Sequence, residues 1–176
     1  MAALIKQRNP SLSLGALKAE LFRVSPTFDL AVLRVDVKGR KIPDLPLDTG
    51  GRGAVPGQPV VVVGYPTGLE AILAKTDSSV VQEILSSQGP SNERITEALA
   101  DRGLIRPSTT QGHIGDVTST DVVFDAATTQ GGSGGPVFNR HRRVIAVEYA
   151  MLPQFAGNSY GVPIRYALEL IGGPAR

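Results

Sequence analysis

The chain contains no cysteine, so neither a disulfide nor a thiolate metal site can hold it together. Histidine is nearly as scarce. His113 and His141 are the only two, and without thiolates beside them they make no ligand set for a structural zinc. No metal and no cofactor is expected. Excess charge is also missing: a formal net charge of +2 is too small to recruit a polyanion, so nucleic acid is not an expected partner. Arg140-His141-Arg142-Arg143, the one basic cluster, lies between two apolar runs and reads as a solvated hairpin turn. Long apolar runs are absent too. Met1 to Arg8 is neither a signal peptide nor a membrane span, which predicts no membrane partner and, by default, a cytoplasmic protein.

What is present in quantity is turn chemistry. Twenty Gly and 13 Pro make up nearly a fifth of the 176 residues, without a collagen period. Gly supplies positive φ and Pro presets turn geometry, so short strands joined by many turns explain the excess. An apolar share of 41% is ample for a core. The composition points to an all-β fold, of one domain or two small ones packed together.

Along the chain, Ala16 to Val24 (ALKAELFRV) alternates like a strand, Ser25-Pro26-Thr27 turns, and Leu30 to Val35 (LAVLRV) has strand length. Residues 36–58 read as loop. Val60 to Val63 is β-branched throughout and predicts a strand buried on both faces, stopped by Gly64 to Gly68. Residues 77–103 then change period. Val80, Val81, Ile84 and Leu85 recur at helical spacing, and a second helix starts at Ser91 as N-cap and stops at Gly103. The β pattern returns near His113 to Thr118, Val122 to Phe124, Pro136 to Asn139, Val144 to Tyr149 and Tyr160 to Ile164. A short helix from Arg165 to Ile171 closes the chain.

The chemistry concentrates in Asp125-Ala-Ala-Thr-Thr-Gln-Gly-Gly-Ser-Gly-Gly-Pro136. A flexible linker is one reading of Gly131 to Gly135, but strand-like DVVFDAA and PVFN flank it, which suits a tight loop better. Glycines on both sides let the backbone curl so that one hydroxyl projects and amides converge beside it. Converging amides next to a serine can stabilise the oxyanion of acyl transfer. The same residues satisfy G-x-S-x-G, yet that elbow requires a following helix, an acid and then a histidine. Here Pro136-Val137-Phe138 reads as strand, and His141 follows with no acid between.

This loop, preceded by Asp125-Ala126-Ala127, resembles the nucleophile loop of trypsin-like peptidases, particularly the bacterial high-temperature-requirement (HtrA/Deg) type. Phe28-Asp29-Leu30-Ala31-Val32-Leu33 resembles the family's acid-bearing segment, Pro59 to Gly68 the opening of its second barrel, and Asn158 to Ile164 its late strand. The resemblance implies a trypsin-like double β-barrel with an incomplete first barrel (1–58). A second barrel (59–176) would carry the helical insertion at about 77–103 and the C-terminal helix. It implies hydrolysis of peptide bonds through an acyl-enzyme, with protein or peptide as the substrate. Ser133 would be the nucleophile, Asp29 the orienting acid, and the amides of Gly131 and Ser133 the oxyanion hole. Ala127, Thr128 and Tyr149 would line a pocket for an apolar substrate side chain. An incomplete first barrel would also leave a strand edge open, so self-association into a homo-oligomer enters the expectations.

Three departures qualify the resemblance. The helical insertion is much longer than the family's usual connection, room enough to cover the site or hold a partner. Gly132 stands where the family usually has Asn or Asp. The family's order is His, Asp, Ser, yet no histidine precedes Asp29. A chain that starts after its histidine, a pseudo-protease that binds extended peptides, and recruitment of His113 as base each account for this. On the first two, the chain as given lacks a base and is inactive.

Overall fold

The computed structural model describes residues 2–3, 19–37, 41–65, 68–89, 91–128, 131–151 and 158–172. A small sheet comes first. Strands β1 (Ala2–Ala3), β2 (Ala19–Val24) and β3 (Leu30–Val35) pair in the order β1-β3-β2, the first pairing parallel and the second antiparallel. Three strands do not close a barrel among the described residues. β2 is an edge strand with Leu21, Phe22 and Val24 exposed. The expected beginning of β2 at 16–18 lies outside the described residues.

Six further strands close into a barrel in the order β4-β5-β6-β9-β8-β7. They are β4 (Pro59–Gly64), β5 (Ser108–Val117), β6 (Val122–Phe124), β7 (Pro136–Asn139), β8 (Val144–Met151) and β9 (Ser159–Pro163). Alternation decides which side chains fill it. Val60 and Val62 of β4 are buried, whereas Val61 and Val63 are only half-buried, so β4 is dry on one face rather than two. Val60, Val62, Ile114, Val122, Phe124 and Val137 meet inside, each buried side chain stabilising the barrel by roughly 1.5–3 kcal/mol. β5 is longer than its sequence suggested because Ser108 to Gly112 pair with Gly64 to Val60 despite their polarity.

A second apolar cluster joins sheet to barrel. Leu30 of β3 packs with Val144 and Val147 of β8, Val162 of β9, and Ile164 and Ala167 of α4 (Ile164–Gly172). Phe28 stacks on Tyr166 at 3.9 Å between ring centroids. Leu47, in the long loop, bridges to Val144.

Between β4 and β5 run three helices: α1 (Gly68–Ala74), α2 (Ser78–Gln88) and α3 (Asn92–Asp101). The sequence signalled the last two. Asp77 caps α2 by accepting from the Ser79 amide, and Ser91 caps α3 by accepting from the Arg94 amide. Gly103, at φ 65°, ends α3. Its amide donates to Ala100 O and that of Leu104 to Leu99 O, the paired closure that a left-handed residue permits. Helix α1 was not foreseen, and the turn expected at Pro66-Thr67 lies outside the described residues. Ile84, Ile95 and Leu99 form a core of their own under Leu69, Ile72 and Leu73, sharing no residue with the two barrel clusters.

Candidate active site

Ser133 lies at the end of the barrel where Gly64 closes β4. A Cβ placed on Gly64 would stand 3.6 Å from the backbone of Gly132. The loop curls through two left-handed glycines, Gly131 at φ 92° and Gly134 at φ 90°. It is tied to β8 by its backbone: the Gly134 amide donates to Glu148 O at 2.7 Å, and the Glu148 amide donates to Gly135 O at 2.9 Å. Gly135 N donates back to Gly132 O at 2.9 Å. The amides of Gly131 and Ser133, by contrast, have no hydrogen-bond partner among the described residues. They are the two that the family resemblance implied as oxyanion donors. Ser133 is exposed, and its Oγ donates to the carbonyl of Tyr149 at 3.2 Å.

Asp29 sits at the tip of the β2–β3 hairpin. The Ser25 hydroxyl shapes that turn by accepting from the amides of Thr27 and Phe28 at 3.3 and 3.1 Å. Burial of Leu30 and the Phe28–Tyr166 stack anchor it on both sides. Asp29 is exposed and shares a cavity of about 280 Å³ with Thr27, Thr120, Asp121 and Tyr149. The Tyr149 hydroxyl donates to Asp121 Oδ1 at 2.8 Å. Burial, then the hydrogen bond to and charge of Asp121, push the Tyr149 phenol up to about 12, with Asp29 adding to the negative potential. Tyr149 thus joins the two expected catalytic positions: its carbonyl meets Ser133 and its ring meets the cavity of Asp29.

The histidines are elsewhere. His113 pairs with Pro59, at the opposite end of β4 from Gly64. Five strand steps at about 3.3 Å separate the two ends by about 17 Å, more than an imidazole side chain spans. His141 lies in the turn after Asn139, which pairs with Val60 at that same far end. Recruitment of His113 therefore has no geometric support. Buried Asn139 organises the basic turn by accepting from the amides of His141 and Arg143, as a solvated hairpin turn requires.

Of the expected lining residues Ala127, Thr128 and Tyr149, only Tyr149 borders the cavity of Asp29; beside Thr128 lies Glu148, which sequence reasoning missed. It is 2% exposed, and its Oε1 accepts from the hydroxyl of Thr128. A carboxyl thus lies behind a wall read as small and neutral. The only signal was one acid inside the apolar strand VIAVEYAM. Burial pushes its pKa up, against the smaller opposing effect of the Thr128 hydroxyl. The folded carboxyl holds its proton more tightly than the unfolded one. Its contribution to stability is therefore complete below the ordinary glutamate range and is lost as pH rises through the raised value. Thermal midpoints should fall over that interval, and Glu148→Gln should flatten the fall; an identical pH profile in both proteins would refute the assignment.

Residues 8–147 match the trypsin-like peptidase domain. The chain belongs to that family. The chain is 30% identical over 139 residues to a Synechocystis sp. protein named as the serine protease HhoA, covering 79% of the chain and 29% of that protein. It is 31% identical over 157 residues to a Halomonas elongata protein named as a DegP-like periplasmic serine endoprotease, covering 88% and 27% respectively. Among solved structures, the serine endoprotease from Yersinia pestis superposes with a TM-score of 0.61 at 20% identity, over 88% of this chain and 43% of that one. An HtrA-type protease solved with a decapeptide gives 0.59 at 20% identity, over 87% and 38%. At such identity the structural likeness speaks to the fold, which is the expected HtrA-like β architecture. The chain spans a little over a quarter of the length of these curated relatives.

One expectation is overturned. The DegP-like relatives are named as periplasmic, which contradicts the cytoplasmic default drawn from the first eight residues. Those residues were poor grounds, since a chain spanning about a quarter of its relatives says nothing by where it begins. Among the described residues no helix is long and apolar enough to cross a membrane.

Proposed function

We propose that this trypsin-like peptidase is built for serine endopeptidase chemistry on protein or peptide substrates. Residues 1–58 contribute the acid Asp29, and residues 59–176 contribute Ser133 and its oxyanion amides. The observation that carries the reading is the loop itself: an exposed hydroxyl, two left-handed glycines, and two amides, at Gly131 and Ser133, without a hydrogen-bond partner among the described residues. Attack by Ser133 Oγ on a peptide carbonyl would put negative charge where those amides converge. Ala127, Thr128 and Tyr149 would border the substrate side chain. The missing part is the base, since both imidazoles lie at the far end of the barrel.

That same fact favours a second reading, a non-catalytic module that holds an extended peptide in this groove by strand addition. Free imidazole separates the two. At about 0.1 M it falls far short of the effective molarity of a positioned base, about 10⁵ M or more, so only partial rescue is expected. Labelling of Ser133 by a fluorophosphonate should nonetheless rise with imidazole, and Asp29→Asn should blunt the rise. Peptide binding with Ser133 inert at every imidazole concentration would select the binding module instead.

A further inference from the structure

Glu148 is the only buried ionisable side chain among the described residues, and it is incompletely satisfied. Thr128 holds Oε1, while Oε2 is buried with no hydrogen-bond partner among the described residues. Such an acceptor costs stability, and a well-packed apolar residue would avoid the cost. Its surroundings suggest what it provides. A Cβ built on Gly132 would stand 2.9 Å from Oε1 and 3.0 Å from Oε2, and would collide with the Thr128 hydroxyl. Gly132 does not have a left-handed φ, so what opposes a side chain there is contact with these two side-chain ends, which would have to shift. The carboxyl from β8 occupies the volume behind the loop that a side chain at 132 would otherwise take.

Four residues in and beside the loop therefore meet one residue. Thr128 before it is held by the Glu148 side chain, Gly132 lies against the carboxyl, and Gly134 and Gly135 pair with the Glu148 backbone. Fixing a backbone costs about 1–2 kcal/mol per residue, and glycines lose the most freedom. A loop with glycine on both sides of its serine needs an external brace. We propose that Glu148 is the positioning residue of the nucleophile loop, a brace supplied from β8 in place of a side chain at 132. The inference rests on the reading of Ser133 as nucleophile, but its test does not require a reactive Ser133.

The test is a double-mutant cycle of Gly132→Ala and Glu148→Ala, read by amide hydrogen exchange at residues 131–135 and, as reference, in β4 and β5. Gly132→Ala alone should speed loop exchange by at least about tenfold. In the Glu148→Ala background the same change should cost less than about threefold, since the carboxyl is gone and the Thr128 hydroxyl is released to turn away. Glu148→Gln keeps the shape and an acceptor for Thr128, and should retain loop protection. Equal costs of Gly132→Ala in both backgrounds would overturn the proposal. So would Glu148→Ala accelerating loop and barrel exchange by one common factor, which is what a merely structural role produces. If Glu148→Ala fails to fold, Thr128→Ala completes the same cycle with Gly132→Ala. Failure of Ser133 to label under imidazole would sink the nucleophile reading while leaving this coupling measurable, so the two failures are distinguishable.

Discussion

Casein incubated with the chain as given should remain intact, and Ser133→Ala should lower any residual rate by less than about tenfold. A serine hydroxyl is a weak nucleophile until a neighbouring base takes its proton. In triad enzymes, loss of the base alone costs about 10⁶ in kcat, roughly as much as loss of all three members, because the three act as a unit. The residual advantage, about 10³–10⁴ over water, comes from oxyanion donors and binding rather than from the serine. Here His113 and His141 are both at the barrel end opposite the Ser133 loop, so neither can act for it. Removing the serine from a site that already lacks its base should therefore lower the residual rate by less than about tenfold. Casein cleavage at the rate of an ordinary protease, abolished by Ser133→Ala, would refute this and require a base from another source.

Much of the site was legible because it is written in local backbone chemistry. Gly131 to Gly135 announce a curled loop whatever surrounds them, and Gly131 and Gly134 do take left-handed φ. Ser91 and Gly103 act within a few residues of themselves, so the ends of α3 could be located from the sequence. Glu148 acts across 20 residues on Thr128, and through space on Gly132. No periodicity encodes such a partner, and its strand simply reads as apolar with one exception. Gly132 alone stood only as a departure from the family's usual Asn or Asp; the carboxyl of Glu148 beside it was not visible. The polar half of β5 was missed for a related reason. Ser108 to Gly112 are held by pairing to β4 rather than by burying an apolar face. Helix α1 received no reading of its own; only its first residue, Gly68, fell within the expected turn.

The separate core of the insertion leads to the second large effect, a contrast between two buried residues. Phe124→Ala should destabilise the barrel by about 3–5 kcal/mol, the usual cost of a cavity left by a buried aromatic ring. Phe124 is wholly buried between β5 and β9 at the centre of the barrel cluster, where the surrounding strands are closed on one another and cannot collapse inward. Against a total of about 5–15 kcal/mol for a domain, that is a large share, and the barrel transition should move as one. Leu99→Ala should cost about 2–5 kcal/mol of a different stability. Leu99 is equally buried, but its neighbours are Ile84, Ile95 and the other apolar residues of α1 to α3. The helical signal in circular dichroism should then be lost early while the barrel transition, followed by amide exchange in β4 and β6, stays in place. An equal drop in barrel stability from both substitutions would show that the insertion and barrel unfold as a single unit. Independent opening would have a consequence at the site. The insertion leaves β4 at Gly64 and rejoins β5 at Ser108, the two residues pair with each other, and Lys75 of the insertion bonds the Ser108 hydroxyl. Gly64 lies against Gly132, so a helical unit able to open alone would be hinged directly beside the loop that carries Ser133.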